Sequence, residues 1–190
     1  MFTNANRLEA TQVLSSLALG FSADPFVRWL YPEPKSFLEN FPRVMDHFGG
    51  RAFENGSAYR NGDFSAAALW LPPDVHPDEE SLVACFEQTV APEKHEALFS
   101  TFEKMDDFHP KEPCWHLAFI AVDPILRGKG QGSALLEKCL MDCDRDGRPA
   151  YLESTNPANL SLYKRHGFEE IGLIEVANAP PLFPMFRPAH

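Results

Sequence analysis

The chain has 190 residues, of which 44% are hydrophobic and 12% aromatic, so it is a single domain's worth of sequence with ample core-forming material, which excludes a disordered chain. Its 17 Lys and Arg stand against 27 Asp and Glu, a formal net charge of −10 with no basic stripe, which excludes a nucleic-acid footprint and favours a neutral or cationic small substrate. Residues Met1 to Arg7 lack a signal-peptide pattern and no apolar run reaches the ~18 residues that span a bilayer, so the expectation is a soluble cytoplasmic protein without a membrane partner.

Apolar residues at Val13, Leu14, Leu17, Ala18 and Phe21 predict a helix over Ala10 to Phe21. Phe37, Phe41, Val44, Met45 and Phe48 predict a second over Ser36 to Phe53, with Pro42 as a point of bending. Two strands follow, Ser57 to Arg60 and Ala66 to Leu71, joined through Asn61-Gly62-Asp63 and stopped by Pro72-Pro73. Asp78 to Val90 and Pro92 to Met105 read as two further helices, the first opening on an acidic cluster suited to a helix N-terminus. Trp29, Tyr31 and Trp70 fit core packing better than a ligand pocket.

Trp115 to Val122 is a mostly apolar run suited to a central strand. Gly132 to Asp142 is helical, with Leu135, Leu136, Cys139 and Leu140 on one side. Ala150 to Ser154 is another strand. Asn156-Pro157 reads as an N-cap followed by proline at the first helical position, and that helix runs to about Arg165 and stops at Gly167. Phe168 to Val176 and Leu182 to Arg187 complete the strands. The order strand, glycine loop, helix, strand, helix, strand predicts an α/β or mixed α+β fold with a parallel pair joined by a crossover helix. Cys85, Cys114, Cys139 and Cys143 contain no Cys-x-x-Cys and no zinc ligand set, so they read as reduced, buried thiols and no metal is expected.

Chemistry concentrates in Val122-Asp123-Pro124-Ile125-Leu126-Arg127-Gly128-Lys129-Gly130-Gln131-Gly132-Ser133. Three alternating glycines between a strand and a helix let backbone N–H groups converge on one point. The helix N-terminus, Arg127 and Lys129 add positive charge, an arrangement suited to a pyrophosphate. A P-loop needs Ser or Thr straight after Gly-Lys, and here Gly130 follows Lys129. A dinucleotide fingerprint needs glycine at relative positions one, three and six, and both possible registers fail at Ser133 and Leu135.

Arg127-x-x-Gly130-x-Gly132, preceded by Val122-x-Pro124, resembles the acetyl-CoA signature of the GNAT superfamily of N-acetyltransferases. The likeness continues in Leu152 to Phe168, where Leu162-Tyr163 and Gly167-Phe168 fill the family's second pattern. Pro110-Lys111-Glu112-Pro113-x-Trp115, Gly128-Lys129-Gly130-x-Gly132-Ser133-Ala134 and Leu152-Glu153 resemble the puromycin N-acetyltransferase branch more narrowly. The resemblance implies a twisted mixed sheet of six or seven strands with helices on both faces. Its central strands, Trp115–Val122 and Ala150–Ser154, would splay around the cofactor, and its first strand would be short or missing. It implies one domain over 1–190, with 1–110 as the acceptor-pocket half and 111–190 as the acetyl-CoA half.

The same resemblance implies direct transfer of acetyl from acetyl-CoA to a primary amine of a small molecule, in a ternary complex. The CoA would be held by the backbone of Ile120 and Val122, by Arg127, Gly128, Lys129, Gly130, Gln131, Gly132 and Ser133, and by Asn159. Tyr163 matches the tyrosine that protonates the departing thiolate. Where many relatives carry a glutamate base this chain has Ala118, leaving Glu153, His116 or a water chain, with Glu153 ranked first. Rival readings are a CoA-binding regulatory module, a protein or peptide amine as acceptor, and a nucleotide-binding protein. The acceptor and the oligomeric state, a homodimer included, stay open.

Overall fold

The computed structural model describes residues 1–190. Seven strands form one mixed sheet in the order β1-β2-β3-β4-β5-β7-β6. They are β1 (Phe2–Asn4), β2 (Ala58–Asn61), β3 (Ala66–Leu71), β4 (Trp115–Val122), β5 (Ala150–Ser154), β6 (Glu169–Glu170) and β7 (Phe183–Arg187). The helices are α1 (Ala10–Gly20), α2 (Pro25–Leu30), α3 (Pro34–Gly49), α4 (Glu79–Thr89), α5 (His95–Phe108), α6 (Gln131–Arg145) and α7 (Leu160–Arg165). The mixed α/β architecture with helices on both faces is as the sequence predicts.

Alternation along the strands supplies two cores. Ala67 and Leu69 of β3 pack with Leu17 of α1 and Phe41 of α3 on one face. Ala68 and Trp70 pack with Leu135 and Leu136 of α6 on the other. Trp70 and Tyr31 are fully buried core residues, Tyr31 sharing a 2.8 Å hydrogen bond with Thr89. All four cysteines are buried and free.

Of the short or missing first strand, the structure shows the short form, three residues antiparallel to β2, so that expectation holds. Several others need adjusting. Helix α2 went unread, because six residues are too short for a periodicity signal. Its start is nevertheless encoded: the Asp24 side chain accepts from Phe26 N and Val27 N, and Pro25 sits at the first helical position. Helix α3 runs on through Pro42, whose missing N–H deprives the carbonyl of solvent-exposed Leu38. The strand expected over Phe168 to Val176 shrinks to Glu169–Glu170 and an isolated bridge at Ile174. Ile171 N still donates to Pro184 O, but Pro184 has no N–H to return and the ladder stops there.

The feature that positions the site lies at the sheet's centre. Strands β4 and β5 are parallel and pair only at Trp115↔Ala150 and His116↔Tyr151. On its other edge β4 pairs with β3 from His116 to Val122, with a register shift where Leu69 opposes Phe119 and Trp70 opposes Leu117. Ala118 is the extra residue. Such a bulge sharpens local twist, and it falls where β4 leaves β5. Past His116, one edge of β4 therefore has no strand partner. This also explains why β4, expected to be buried on both faces, is only half-buried from Ala118 to Val122.

Candidate functional site

Three adjoining cavities line up through the gap between β4 and β5. The first, about 670 Å3, lies over the glycine loop and is called here the loop cavity. The third, about 600 Å3, lies among α3, α4, α5 and the ends of β4 and β5, and is called the helix cavity. Between them is a passage of about 100 Å3 with mostly apolar walls. The passage shares Ile120, Asn159 and Tyr163 with the loop cavity and Phe48, Phe86, Phe102, Met105 and Glu153 with the helix cavity.

The loop cavity is a backbone device. Gly128 and Gly130 have φ of 75° and 79°, values that residues with a Cβ rarely adopt. Nothing lies within 4 Å of where either Cβ would be, so it is the backbone conformation and not crowding that favours glycine, and the space above it is open. Gly130 is the N-cap of α6, a 15-residue helix whose positive end faces the cavity. Asp123 holds the entry turn by accepting from Ile125 N at 3.0 Å. Gln131, Gly132 and Ser133 continue the wall, with Ser133 Oγ 2.7 Å from His166 Nε2 and the Gln131 side-chain oxygen buried without a partner. Arg127 also lines the cavity, but its guanidinium donates to the Gly20 carbonyl, tying the loop to the end of α1. Lys129 is exposed and forms no part of the wall. Ile120 and Val122 lie on the opposite wall, on the stretch of β4 that lacks a β5 partner.

Close packing fixes the loop cavity's width. Gly20 ends α1 against β4, and a Cβ there would meet the Ala121 Cβ at 2.3 Å. Beside it Asp24 is buried, accepting from Thr155 Oγ1 at 2.6 Å as well as capping α2. Burial raises its pKa, against the pull of the hydrogen bonds from Thr155 and the α2 amides. Asn156 caps the next turn by accepting from Ala158 N, and Asn159 and Tyr163 then reach both loop cavity and passage. Tyr163 is 6% exposed and stacks edge-on with Phe168. Burial, with the nearby Asp24 carboxylate second, pushes its phenol above the usual tyrosine range, so it holds its proton at neutral pH.

On the helix-cavity side the structure unites two residues 37 apart in sequence: His116 Nε2 and Glu153 Oε2 are 2.9 Å apart. Both side chains are under 10% exposed. The pairing follows from sheet order, since His116 opposes Tyr151 and Glu153 is two residues further along β5 on the same face. Tyr151 and His109 ring the pair, with centroids 5.5 Å from His116 in both cases. The Tyr151 hydroxyl is buried beside Glu153 without a hydrogen bond of normal geometry, and burial first, the Glu153 charge second, raise its pKa. Burial first, and His116 second, lower the pKa of His109. Cys114 also lines this cavity, but burial pushes its thiol up to about 12, so it stays protonated and a poor nucleophile.

Sequence reasoning identified His116 and Glu153 as separate candidates and missed their contact. It also missed His109 and the phenylalanine wall of Phe48, Phe86, Phe99 and Phe102. None of Trp29, Tyr31 and Trp70 lines any of the three cavities.

The sequence profile described as the acetyltransferase (GNAT) family matches residues 65–168, more than half of the chain. An uncharacterized N-acetyltransferase of Schizosaccharomyces pombe is 28% identical over 181 residues, covering 86% of this chain and 73% of its own length. Among solved structures, a histone acetyltransferase HPA2 and related acetyltransferase from Corynebacterium glutamicum superposes with a TM-score of 0.69 at 26% identity, covering 100% of this chain and 96% of that one. A Drosophila melanogaster polyamine N-acetyltransferase gives a TM-score of 0.66 at 18% identity, covering 98% and 96% respectively, and at that identity the likeness is one of fold.

Proposed function

The chain belongs to the acetyltransferase (GNAT) family and is an acyltransferase, and from that premise we propose that it moves the acetyl group of acetyl-CoA to the primary amine of a small molecule. The observation that carries this reading is the three-cavity row, with Tyr163 facing the loop cavity and Glu153 facing the helix cavity across one narrow passage.

The residues of the loop cavity fit acetyl-CoA. The left-handed glycines, the α6 N-terminus and the open volume above them suit a diphosphate. The unpartnered edge of β4 around Ile120 and Val122 offers amide groups to an extended, amide-bearing arm such as pantetheine. Gly128, Gly130, Gln131, Gly132, Ser133 and Asn159 complete this assignment. We give Arg127 a bracing role through Gly20 and Lys129 a screening role at the rim, since neither guanidinium nor ammonium is committed to the cavity floor. When bound, acetyl-CoA supplies a thioester carbonyl as the electrophile.

An ammonium entering from the helix cavity must lose a proton before its nitrogen can attack. The His116–Glu153 pair accepts it: two hydrogen-bonded groups can take a proton on one and stabilise it with the other. The apolar passage excludes water from the point of attack. As the nitrogen–carbon bond forms and the carbon–sulfur bond breaks, the leaving sulfur takes a proton from the Tyr163 phenol, and the second proton that the nitrogen sheds on becoming an amide restores that phenol. A CoA-binding module without turnover would need neither the buried pair nor the phenol at the passage. Two of the segments that resemble the puromycin N-acetyltransferase branch border the helix cavity through Lys111, Glu112, Pro113 and Glu153, but that resemblance does not carry over an acceptor.

Tyr163→Phe keeps the ring and its contact with Phe168 but removes the proton. We expect acetyl-CoA affinity to hold while kcat falls by roughly 10²–10³-fold, read as free thiol release with an amine panel. An unchanged kcat under conditions where chemistry limits the rate removes Tyr163 from the mechanism. Glu153→Gln and His116→Gln should each lose the acidic limb of the pH–rate profile, and the double variant should lose little more than either single one, because the two act as a unit.

A further inference from the structure

We infer that the acceptor is an elongated polycation, an alkyl diamine or longer polyamine, whose second charge is held at the mouth of the helix cavity. This rests on the acetyl-transfer reading above and names the substrate class for the same site.

The cavity has two chemically distinct ends. Its closed end holds the buried His116–Glu153 pair. An ammonium group has three N–H donors and no acceptor, and the Glu153 side-chain oxygens at this end can accept from it. The middle is walled by Phe48, Phe86, Phe99 and Phe102, a surface for methylene groups and for a cation over aromatic faces. The open end carries Asp74, Glu79, Glu103, Asp106 and Glu112 against one lysine, Lys111.

That imbalance exceeds the chain's own. Overall the ratio is 27 acids to 17 bases, whereas the mouth has five to one. None of the five carboxylates is in an ion pair, although elsewhere on the surface Asp46, Glu54, Glu9, Asp142 and Glu170 all are. Like charges gathered around a low-dielectric wall repel one another and focus a negative potential into the opening. A ligand charged at one end only satisfies the floor and leaves the mouth uncompensated. A polycation satisfies both, and its alkyl spacer fits the aromatic middle. An anionic or zwitterionic acceptor is disfavoured by the same field.

The test compares 1,4-diaminobutane with n-butylamine, which share a four-carbon chain and differ by one ammonium. Isothermal titration of the intact protein, with and without saturating CoA, should show the diamine binding at least roughly tenfold more tightly, about 1.4 kcal/mol. The preference should shrink as salt rises from about 50 mM to about 500 mM. Glu103→Gln with Asp106→Asn, both on the exposed face of α5, should collapse the ratio. The control pair Glu39→Gln with Glu169→Gln makes the same change in net charge away from the cavity and should retain it. Equal affinity for the two amines, or a preference that survives the Glu103 and Asp106 changes, overturns the inference. Titration of acetyl-CoA into the same protein keeps the outcomes apart: failure to bind acetyl-CoA defeats the acetyl-transfer reading, while loss of the diamine preference with acetyl-CoA binding intact defeats this inference alone.

Discussion

The loop cavity and the helix cavity have nearly equal volumes, about 670 and 600 Å3, yet they are made of different materials. At the loop the critical surface is backbone: two left-handed glycines, a helix N-terminus and an unpaired strand edge. Among the helices it is side chain: a His–Glu pair, four phenylalanines and a ring of carboxylates. A backbone surface is specified by conformation and tolerates few residues. A side-chain surface is specified by direction, and many sequences build one. The first kind should therefore break on single substitutions that alter backbone or fill space, and the second should be tuned by them.

The largest expected effect tests the backbone half of that contrast. Gly130 has open space where a Cβ would go, so two obstacles to substitution remain: the left-handed conformation and the charge brought in. Asn and Asp both tolerate this conformation better than other residues, which lets the two be separated. Gly130→Asn should weaken acetyl-CoA binding by roughly 5–30-fold, the conformational share being roughly 1–2 kcal/mol. Gly130→Asp should abolish the ligand's stabilisation, about 2.7 kcal/mol for the wild type at hundredfold excess over Kd, by setting a carboxylate against an anion. Thermal shifts with and without acetyl-CoA measure both. Intact binding in the aspartate variant removes the loop from the cofactor assignment.

A smaller effect is expected at the opposite wall. Gly20→Ala brings a methyl group to 2.3 Å from the Ala121 Cβ, a clash between two elements that cannot both stay in place. Displacing α1 also strains the contact of Arg127 with the Gly20 carbonyl. Over-packing of this kind costs typically 1–3 kcal/mol, read from denaturant midpoints at unchanged slope. The loss should be accompanied by weaker acetyl-CoA binding, since the same contact sets the cavity's width. A destabilised variant with full affinity would show that the width is set elsewhere.

What the sequence reveals divides along the same line. Strands β3, β4 and β5 fall on the expected residues because their apolar runs are bounded by proline, glycine and polar turns. The glycine loop was legible because few residues can adopt the backbone of Gly128 and Gly130, and the cap at Asn156 because so few side chains serve there. The helix cavity was hidden because Phe48, Phe86 and Phe102 obey the same helical period as core residues, and period alone cannot say that one faces a void. The His116–Glu153 contact was hidden because it needs strand order and register, and the opening of the sheet coincides with one bulged alanine that has no sequence signature.

The smallest expected effect probes the side-chain half through His109. Burial and the neighbouring His116 lower its folded-state pKa below that of the unfolded chain. Above the unfolded value, near ~6.5, both states are neutral at this residue and it contributes nothing to the pH slope. As pH falls below that value the unfolded chain takes up the proton first. Folding stability then drops until pH passes the lower folded value, below which both states are charged and the loss is complete. His166, whose pKa burial also lowers, adds a drop of the same sign, so only a difference between proteins isolates His109. His109→Gln removes the titration and keeps a donor for the Pro110 carbonyl, which the His109 Nδ1 approaches at 3.1 Å. Urea midpoints at pH 7.5, 6.5 and 5.5 should show the wild type losing more stability on acidification than the variant, with the two closest at pH 7.5 apart from a constant offset. Parallel losses would mean that His109 titrates as it does in the unfolded chain, and that the wall of the helix cavity is wetter around this ring than its packing against His116 and Tyr151 implies.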